Sequence, residues 1–377
     1  MKSFDVLIVG AGIVGCALAK ECAEANLQVG LVETNTPGSG ATGTGMGHLV
    51  VMDDSPAQLA LTRYSRTLWQ QLIPELPPAV EYESRGTLWV ATDDEEMAEV
   101  HAKYDTYFAA GVLAEVLNAS QLASEEPNLR PGLAGGLLVP DDGVIYPPAA
   151  AGFFLEQAQA RGATYLPGSG VVAASRGELR LADGATLHGD RIVLATGTNC
   201  ALLPSLPIKS RKGHLLITDR YPGFLHHQLV ELGYLKSAHK VQADSVAFNI
   251  QPRRTGQILI GSSRQYGNVD PATDSFMLER MLERAQLYMP ALSKLSVLRA
   301  WTGFRASTPD NLPLIGPAAA LCDDESLWLA VGFEGLGITN APGAARLLVD
   351  QMLNRTPVID TAPYLPRSTA NHEYSHA

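Results

Sequence analysis

Three groups of residues in this sequence have the types and spacing to do chemistry. The first is Gly10, Gly12 and Gly15, which follow an apolar run of strand length, Phe4-Asp5-Val6-Leu7-Ile8-Val9. They open a helical pattern at Ile13 and Val14 that continues through Ala17, Leu18, Cys22 and Ala25. A second short strand, Leu27 to Val32, ends on an acid, Glu33, with Thr34 beside it. That order is the one a dinucleotide-binding βαβ unit demands. Gly10 allows the tight turn, Gly12 lets backbone N–H groups approach a pyrophosphate, and Gly15 lets helix and strand pack closely. The helix start adds unpaired donors and a positive dipole end, and Glu33 accepts from the ribose hydroxyls. The second group is a loop of glycines and hydroxyls from Asn35 to His48. The third is Arg305, set between an aromatic and small residues ahead of a proline-rich loop, with the glycine-rich turn Gly332 to Thr339 after it. The ordinary alternatives are a flexible surface loop, a surface arginine and a plain tight turn before a helix.

These groups need elements to position them, and 377 residues are too many for one compact core, so two domains are expected. A net charge of −11 and pI near 5.3 argue against a nucleic-acid partner. The four cysteines, Cys16, Cys22, Cys200 and Cys322, form no C-x-x-C pair and no zinc spacing, which leaves no metal expected. They read as buried thiols of a reducing compartment. With no signal peptide and no apolar run of membrane-spanning length, the expected location is the cytoplasm, with peripheral association at the inner membrane face left open.

Along the chain, the apolar Leu49-Val50-Val51 after the glycine loop predicts that the loop lies against something buried. Ser55 to Leu72 has helical spacing, Glu83 to Thr92 reads as a strand, and Asp93 to Ala110 as an acidic-faced helix. Leu137 to Val139 is a short strand, Pro147 to Arg161 a helix, and Ala163–Leu166, Val171–Ala174 and Glu178–Leu181 are strand-like, with a hairpin turn at Asp183-Gly184. Arg191 to Leu194 is a buried strand running into the small-residue turn Ala195-Thr196-Gly197, a late member of the nucleotide-binding sheet. From Ile208 the pattern alternates in His214–Thr218, Gln228–Leu235, Val246–Gln251 and Gln257–Ser262, which predicts an antiparallel sheet. A helix over Ser275–Tyr288 closes it. Trp301 to Pro317 reads as glycine-rich turns, Leu327–Val331 as a strand, and Asn340–Leu353 as a final helix with a proline in its first turn. Pro357 to Ala377 reads as a loose polar tail.

From Val6 to about Leu353 the pattern resembles the D-amino-acid-oxidase-like flavoproteins. That family includes glycine oxidase, sarcosine oxidase and the bacterial D-amino-acid and D-hydroxyproline dehydrogenases. The most specific stretch is Thr302-Gly303-Phe304-Arg305-Ala306-Ser307-Thr308-Pro309-Asp310-Asn311-Leu312-Pro313-Leu314-Ile315-Gly316, followed at the family's usual interval by Gly332-Phe333-Glu334-Gly335-Leu336-Gly337-Ile338-Thr339. Ala306 stands where the family usually has proline. Looser matches are Leu194-Ala195-Thr196-Gly197 and Arg211-Lys212-Gly213-His214. The resemblance implies an α/β fold: a Rossmann-like FAD-binding domain with a second α+β substrate domain built on a mainly antiparallel sheet. The expected division assigns 1–80, 141–207 and 301–356 to FAD, 81–140 and 208–300 to substrate, and 357–377 to the tail.

The resemblance also implies roles. FAD would be held by Gly10, Gly12, Ile13, Val14, Gly15, Glu33, Thr34, Ala41, Thr42, Gly45, Met46, Gly47 and His48, by Val171, Val172, Ala195, Thr196 and Gly197, and by Gly303, Arg305, Gly332, Gly335, Leu336, Gly337, Ile338 and Thr339. Free amides from Gly335 to Thr339 at a helix start can face the flavin's pyrimidine edge and stabilise charge there. In the family the arginine at position 305 binds the substrate carboxylate, a task that suits its bidentate fork. Asn249 stands where glycine-oxidase-like members carry a tyrosine over the substrate, and Arg264 and Glu334 are the further candidates for the catalytic cavity. No cysteine occupies Gly303 or its neighbours, where monomeric sarcosine oxidases tether FAD, so a noncovalent flavin is expected.

The activity implied is oxidation of a small amino or imino acid by hydride transfer from the α-carbon to flavin N5, with D-amino acids and D-hydroxyproline favoured and glycine, sarcosine or opines open. Some relatives are subunits of larger dehydrogenases whose other chains carry a second flavin or an iron–sulfur cluster; a homo-oligomer is the alternative. A noncatalytic flavin-carrying subunit is a competing reading. An NAD-linked dehydrogenase is another, and it leaves the two C-terminal glycine motifs unexplained.

Overall fold

A computed structural model describes residues 3–233 and 244–367 of the protein. The last two residues of the expected strand Gln228–Leu235, and the tail from 368 on, lie outside the described residues.

The chain opens with β1 (Ser3–Val9), α1 (Ile13–Glu24) and β2 (Val29–Glu33), the expected βαβ unit. A short helix α2 (Ala41–Thr44), a two-residue strand β3 (His48–Leu49) and the long helix α3 (Pro56–Leu72) follow. Next come β4 (Thr87–Ala91), α4 (Asp94–Ala109), β5 (Glu115–Asn118), α5 (Ala119–Glu125), β6 (Gly135–Val139) and β7 (Gly143–Val144). α6 (Pro147–Ala160) leads to β8 (Thr164–Pro167), β9 (Val171–Ser175), β10 (Glu178–Leu181) and β11 (Thr186–Leu194). β12 (Lys209–Thr218), β13 (Gln228–Glu231), β14 (Ser245–Pro252) and β15 (Ile258–Tyr266) precede α7 (Ser275–Tyr288). The chain then forms β16 (Val297–Ser307), β17 (Leu314–Pro317), β18 (Leu327–Val331) and α8 (Gly337–Met352).

The first sheet runs β17-β18-β11-β1-β2-β8, with β10 and β9 attached beyond β11. Its centre is parallel: β1 pairs in that sense with β2 and β11, β2 with β8, and β11 with β18. Val6 and Ile8 face α1, α3, α6 and α8 in one core, while Leu7 and Val9 face Leu203 and Leu206 on the other side. Burial on both faces is why Val6 to Val9 read as an unbroken apolar run, each such side chain contributing roughly 2 kcal/mol.

The second sheet runs β16-β12-β15-β14-β13-β4-β6-β5. It is antiparallel except where β13 lies parallel to β4, so the sheet is mainly antiparallel as expected, with one parallel pair that makes it mixed. One face buries Phe248, Ile250 and Ile260 against Met281, Ala285 and Tyr288 of α7, with the Phe248 and Tyr288 rings stacked at 4.6 Å.

Three sequence expectations change. Trp301–Pro317, read as turns, begins on β16, an eleven-residue edge strand that pairs with β12 along most of its length. Its glycines masked the strand pattern, because Gly303 is there for a close approach: a Cβ on it would sit 2.3 Å from Thr44 Oγ1. The last helix begins at Gly337, so Pro342 lies inside it rather than in its first turn. Proline has no N–H for the carbonyl of Ile338, and Trp69 of α3 supplies the donor, its Nε1 lying 3.2 Å from Ile338 O and 3.0 Å from Thr339 O. The tail up to Arg367 is packed: Tyr364 is buried and its hydroxyl donates to Ala57 O at 2.6 Å, and Arg367 pairs with Asp310.

Candidate active site

One end of the site, where the sequence predicts a nucleotide, forms where β1, β2 and β11 finish together. Gly10 has φ +106°, and a Cβ there would lie 2.6 Å from the carbonyl oxygen of Ala195, whose own N–H bonds Val9 O. Gly15 is needed because a Cβ on it would meet Gly10 O at 1.9 Å. Glu33 closes β2 with one carboxylate oxygen 2.7 Å from Ala11 N and the other 2.8 Å from Asn35 N. The glycine loop folds back onto this turn: Gly38 N donates to Ala11 O, and Ile13 N donates to Thr42 Oγ1 at 3.0 Å. Thr42 and Met46 are buried, so the loop lies against the core as expected.

The other end is built by the second sheet and α8. The β12–β16 register sets Arg211 opposite Arg305 and Gly213 opposite Gly303, while Trp301 Nε1 donates to Thr44 O at 3.2 Å and ties β16 to α2. Arg305 Nη1 donates to Ser263 O at 3.1 Å. A Cβ on Gly213 would sit 2.7 Å from that Nη1, so glycine makes room for the guanidinium. Glu334 adopts φ +50° and bonds its N–H to Ala306 O at 2.8 Å. Its carboxylate accepts from Arg211 Nη1 at 2.6 Å and from Gly335 N at 2.5 Å. Burial raises the Glu334 carboxyl, but Arg305, Arg264, Arg211 and the Gly335 N–H outweigh it and hold it below the usual range. His48 is pushed down to about 4, by burial first; Gln251 works against this and Arg305 adds to it, so the imidazole is neutral.

A continuous cleft of about 2190 Å³ connects the two ends, lined from Gly10, Glu33 and Thr34 through Ala41 to His48 and on to Arg305 and Gly335. Ala195, Thr196, Gly197 and Val171 line it near the nucleotide end. Gly332, Leu336, Gly337 and Ile338 line it near the arginines, with Asn249, Arg264 and Glu334 in the same chamber. Asn249 Oδ1 is buried with no hydrogen-bond partner among the described residues. Three residues of the expected cofactor set stand apart. Gly15 serves helix packing, and Val172 turns outward at 53% exposure because β9 alternates its faces. Thr339 is a buried pin, donating to His48 O at 2.9 Å and accepting from Val50 N at 3.2 Å.

Sequence reading did not single out Asp54, Trp89, Arg211 or Gly213 as site residues. Asp54 and Trp89 line the chamber from the segment before α3 and from β4. The only local signal was an acidic pair, Asp53-Asp54, straight after the apolar Leu49–Met52.

The residues fit a dinucleotide whose far end meets the arginines. Two helix starts line the one cleft, and neither α1 at Gly12 nor α8 at Leu336 is closed by its capping residue's side chain. The first-turn amides of α1 after Ile13, whose own N–H goes to Thr42, suit a pyrophosphate, and those at α8 an electron-rich ring edge. Such a cradle opening onto an arginine-lined chamber defines a nucleotide-cofactor oxidoreductase of two-sheet α/β architecture. The chain belongs to the family of FAD-dependent oxidoreductases, whose model matches residues 5–351. That decides between the nicotinamide and flavin alternatives in favour of FAD. The chain is 30% identical to a glycine oxidase of Pseudomonas aeruginosa over 96% of its length and 98% of the relative's. It is 25% identical to the hydrogen cyanide synthase subunit HcnC of the same species, over 97% of this chain and 96% of that one. The crystal structure of glycine oxidase from Geobacillus kaustophilus superposes with a TM-score of 0.85 at 26% identity, covering 99% of this chain and all of that one. Among the described residues, no helix is long and apolar enough to cross a membrane.

Proposed function

We propose that the protein oxidises a small amino or imino acid at its α-carbon, with the substrate carboxylate on Arg305. The observation that carries this reading is the Arg305 guanidinium: it lines the cleft beside Gly335, steadied by Ser263 O and given room by Gly213. A planar fork held in this way suits a carboxylate. Bound FAD supplies the two-electron acceptor for hydride. The chain's own work is positioning and electrostatics. Gly10, Gly12 and Glu33 would hold the nucleotide, and the amides at the start of α8 would face the flavin. Glu334, held below the usual range against burial by Arg305, Arg264 and Arg211, balances the charge of Arg305 when no carboxylate is bound. The β16–α2 seam at Trp301 and Thr44 closes one wall against water.

Two substrate arms deserve testing. Glycine is supported by the relatives named glycine oxidases. Small D-amino acids and cyclic imino acids such as D-hydroxyproline are supported by Asn249, an amide with an unpartnered buried oxygen in the chamber. The match to a named synthase subunit supports a second reading, in which the chain works in a larger assembly whose partners carry a second flavin or an iron–sulfur cluster. Light scattering of natively purified protein distinguishes this from a homo-oligomer.

The deciding experiment is anaerobic bleaching of the flavin by a panel of glycine, sarcosine, D-proline, D-hydroxyproline and other amino acids, repeated with Arg305→Ala. The variant is expected to keep its flavin and to raise KM about a hundredfold or more. An unchanged KM for the best substrate removes the carboxylate role, and a flavin that no amine bleaches removes the enzyme reading.

A further inference from the structure

The oxidation proposed above needs an uncharged amine, because an ammonium nitrogen has no lone pair to assist departure of hydride from the neighbouring carbon. At neutral pH a free α-amine is mostly protonated. A substrate that arrives in the ammonium form must therefore lose one proton in the cleft, and the groups lining the arginine end differ in their fitness to accept it.

Arg305, Arg264 and Arg211 only donate. His48 is neutral but a weak base, burial having pushed it down to about 4. Glu334 is committed as a counter-ion to Arg211 and the Gly335 N–H, and the surrounding arginines hold it ionised. His214, another lining imidazole, is lowered by burial and has both ring nitrogens taken, by Ser263 Oγ and by Asp274 N. Asp54 stands on the segment that joins β3 to α3 along the cleft wall.

That segment is fixed at nearly every residue. His48 O and Val50 N bond Thr339, Val51 N donates to Asp142 at 3.2 Å, and Met52 N donates to Thr62 Oγ1 at 3.1 Å. Tyr107 donates to Val51 O at 2.8 Å. Asp53 then pairs with the buried Lys103, whose ammonium lies 4.4 Å above the Trp89 ring and 5.0 Å from the Tyr107 ring. With its neighbour so held, Asp54 is the carboxylate of the pair that lines the cleft, and its side chain keeps open surface there. Ser55, the next residue, caps α3 by accepting from Gln58 N, which anchors the other side of Asp54.

We propose that Asp54 accepts the proton of the substrate's ammonium group. The N–H bond breaks and an O–H bond forms on the Asp54 carboxyl. The freed nitrogen lone pair then becomes the second bond of a C=N group as the α-carbon's C–H electron pair leaves as hydride, for which bound FAD would be the acceptor. Water takes the proton from Asp54 once the product has gone. Every charged group facing Asp54 fits this use. Burial raises its carboxyl above the ordinary value; Lys103 lowers it, Asp53 raises it, Arg264 lowers it and Glu334 raises it, with a net rise. Tyr107, nearby, is pushed far up and stays neutral. Glu334 is thus held down while Asp54 is held up, the separation expected of a counter-ion and a proton acceptor in one site.

This inference deepens the proposed function and rests on it, and the tests separate the two. For the best substrate of the panel, wild-type kcat/KM is expected to be flat between the pKa of Asp54 and that of the substrate amine. Asp54→Asn must instead capture neutral amine from solution. Its kcat/KM should climb about tenfold per pH unit up to the amine pKa, and lie about a hundredfold below wild type at neutral pH. Asp54→Glu should restore part of the plateau, and flavin absorbance reports whether each variant is folded and loaded. Parallel profiles for wild type and Asp54→Asn overturn the assignment. The second readout is calorimetric binding of 2-aminoisobutyrate, which has no α-hydrogen to lose, in buffers of different ionisation heat. Wild type should bind it without net proton release, and Asp54→Asn with release of about one proton. Equal proton counts overturn the proposal. The expected counts with a flavin that no amine bleaches leave Asp54 as the acceptor and remove the oxidation.

Discussion

At the scale of single residues, the site depends on side chains that are missing as much as on those present. Gly213 shows this most directly, because a methyl group on it would occupy the place of Arg305 Nη1 at 2.7 Å. Gly213→Ala should displace the guanidinium and raise KM about ten- to a hundredfold while leaving flavin content unchanged. Steady-state kinetics beside the flavin absorbance ratio checks this, and loss of flavin would mean that the strand itself had moved. Glu33 is the matching residue at the nucleotide end, its two oxygens already oriented by Ala11 N and Asn35 N. Glu33→Ala should weaken FAD binding, seen as flavin released on gel filtration. Full retention would mean that the ribose is held elsewhere.

At the scale of elements, two buried polar contacts hold the walls of the cleft. Trp69 of α3 supplies the donor that Pro342 cannot give within α8, whose start lines the site. Trp69→Phe keeps an aromatic ring there but leaves the Ile338 carbonyl, which Pro342 cannot serve, short of a donor, a cost of about 1–3 kcal/mol that should lower the thermal midpoint. An unchanged midpoint would show that water replaces the indole. Asp142 binds the segment after β3, α3 and β4 together through Val51 N, Arg66 and Thr87 Oγ1. Burial raises its carboxyl from 3.8 to about 6, although Arg66, Thr87 and Val51 N all act to lower it. The folded protein thus holds this proton more tightly than the unfolded chain does. The resulting stabilisation is complete below the ordinary value and lost as pH rises through the folded one. Relative to Asp142→Asn, wild type should therefore lose thermal stability as pH rises from about 4 to 7. A difference that stays constant with pH would place the carboxyl at its ordinary value.

At the scale of the whole molecule, the cleft is lined by residues of both sheets, so a bound cofactor would bridge them. The glycine loop is pinned to α1 by Thr42 and to β16 by Thr44, and Met46 O accepts from Gln251 of β14 at 2.6 Å. A ligand that binds only the folded form raises stability in proportion to its affinity. Removing FAD should therefore lower the melting temperature, and excess FAD should restore it. An apoprotein that melts with the holoenzyme would mean that the sheets cohere without it.

The sequence by itself determined the elements whose logic is local. The β1–α1–β2 unit, α3 with its Ser55 cap and α7 were legible because strand and helix periods, turn glycines and caps act over a few residues. Arg305 and Glu334 were picked out by a specific pair of motifs, and both line the cleft. Tertiary structure decided what depends on distant partners. Gly303 reads as a turn until Thr44 is seen against it, and Pro342 reads as a helix start until Trp69 is seen to replace its missing donor. Asp54 reads as one acid of a polar pair until Lys103 claims Asp53, leaving Asp54 to line the cleft. Local pattern specifies how the backbone folds, whereas what a side chain faces is set by contacts from elements far away in the chain.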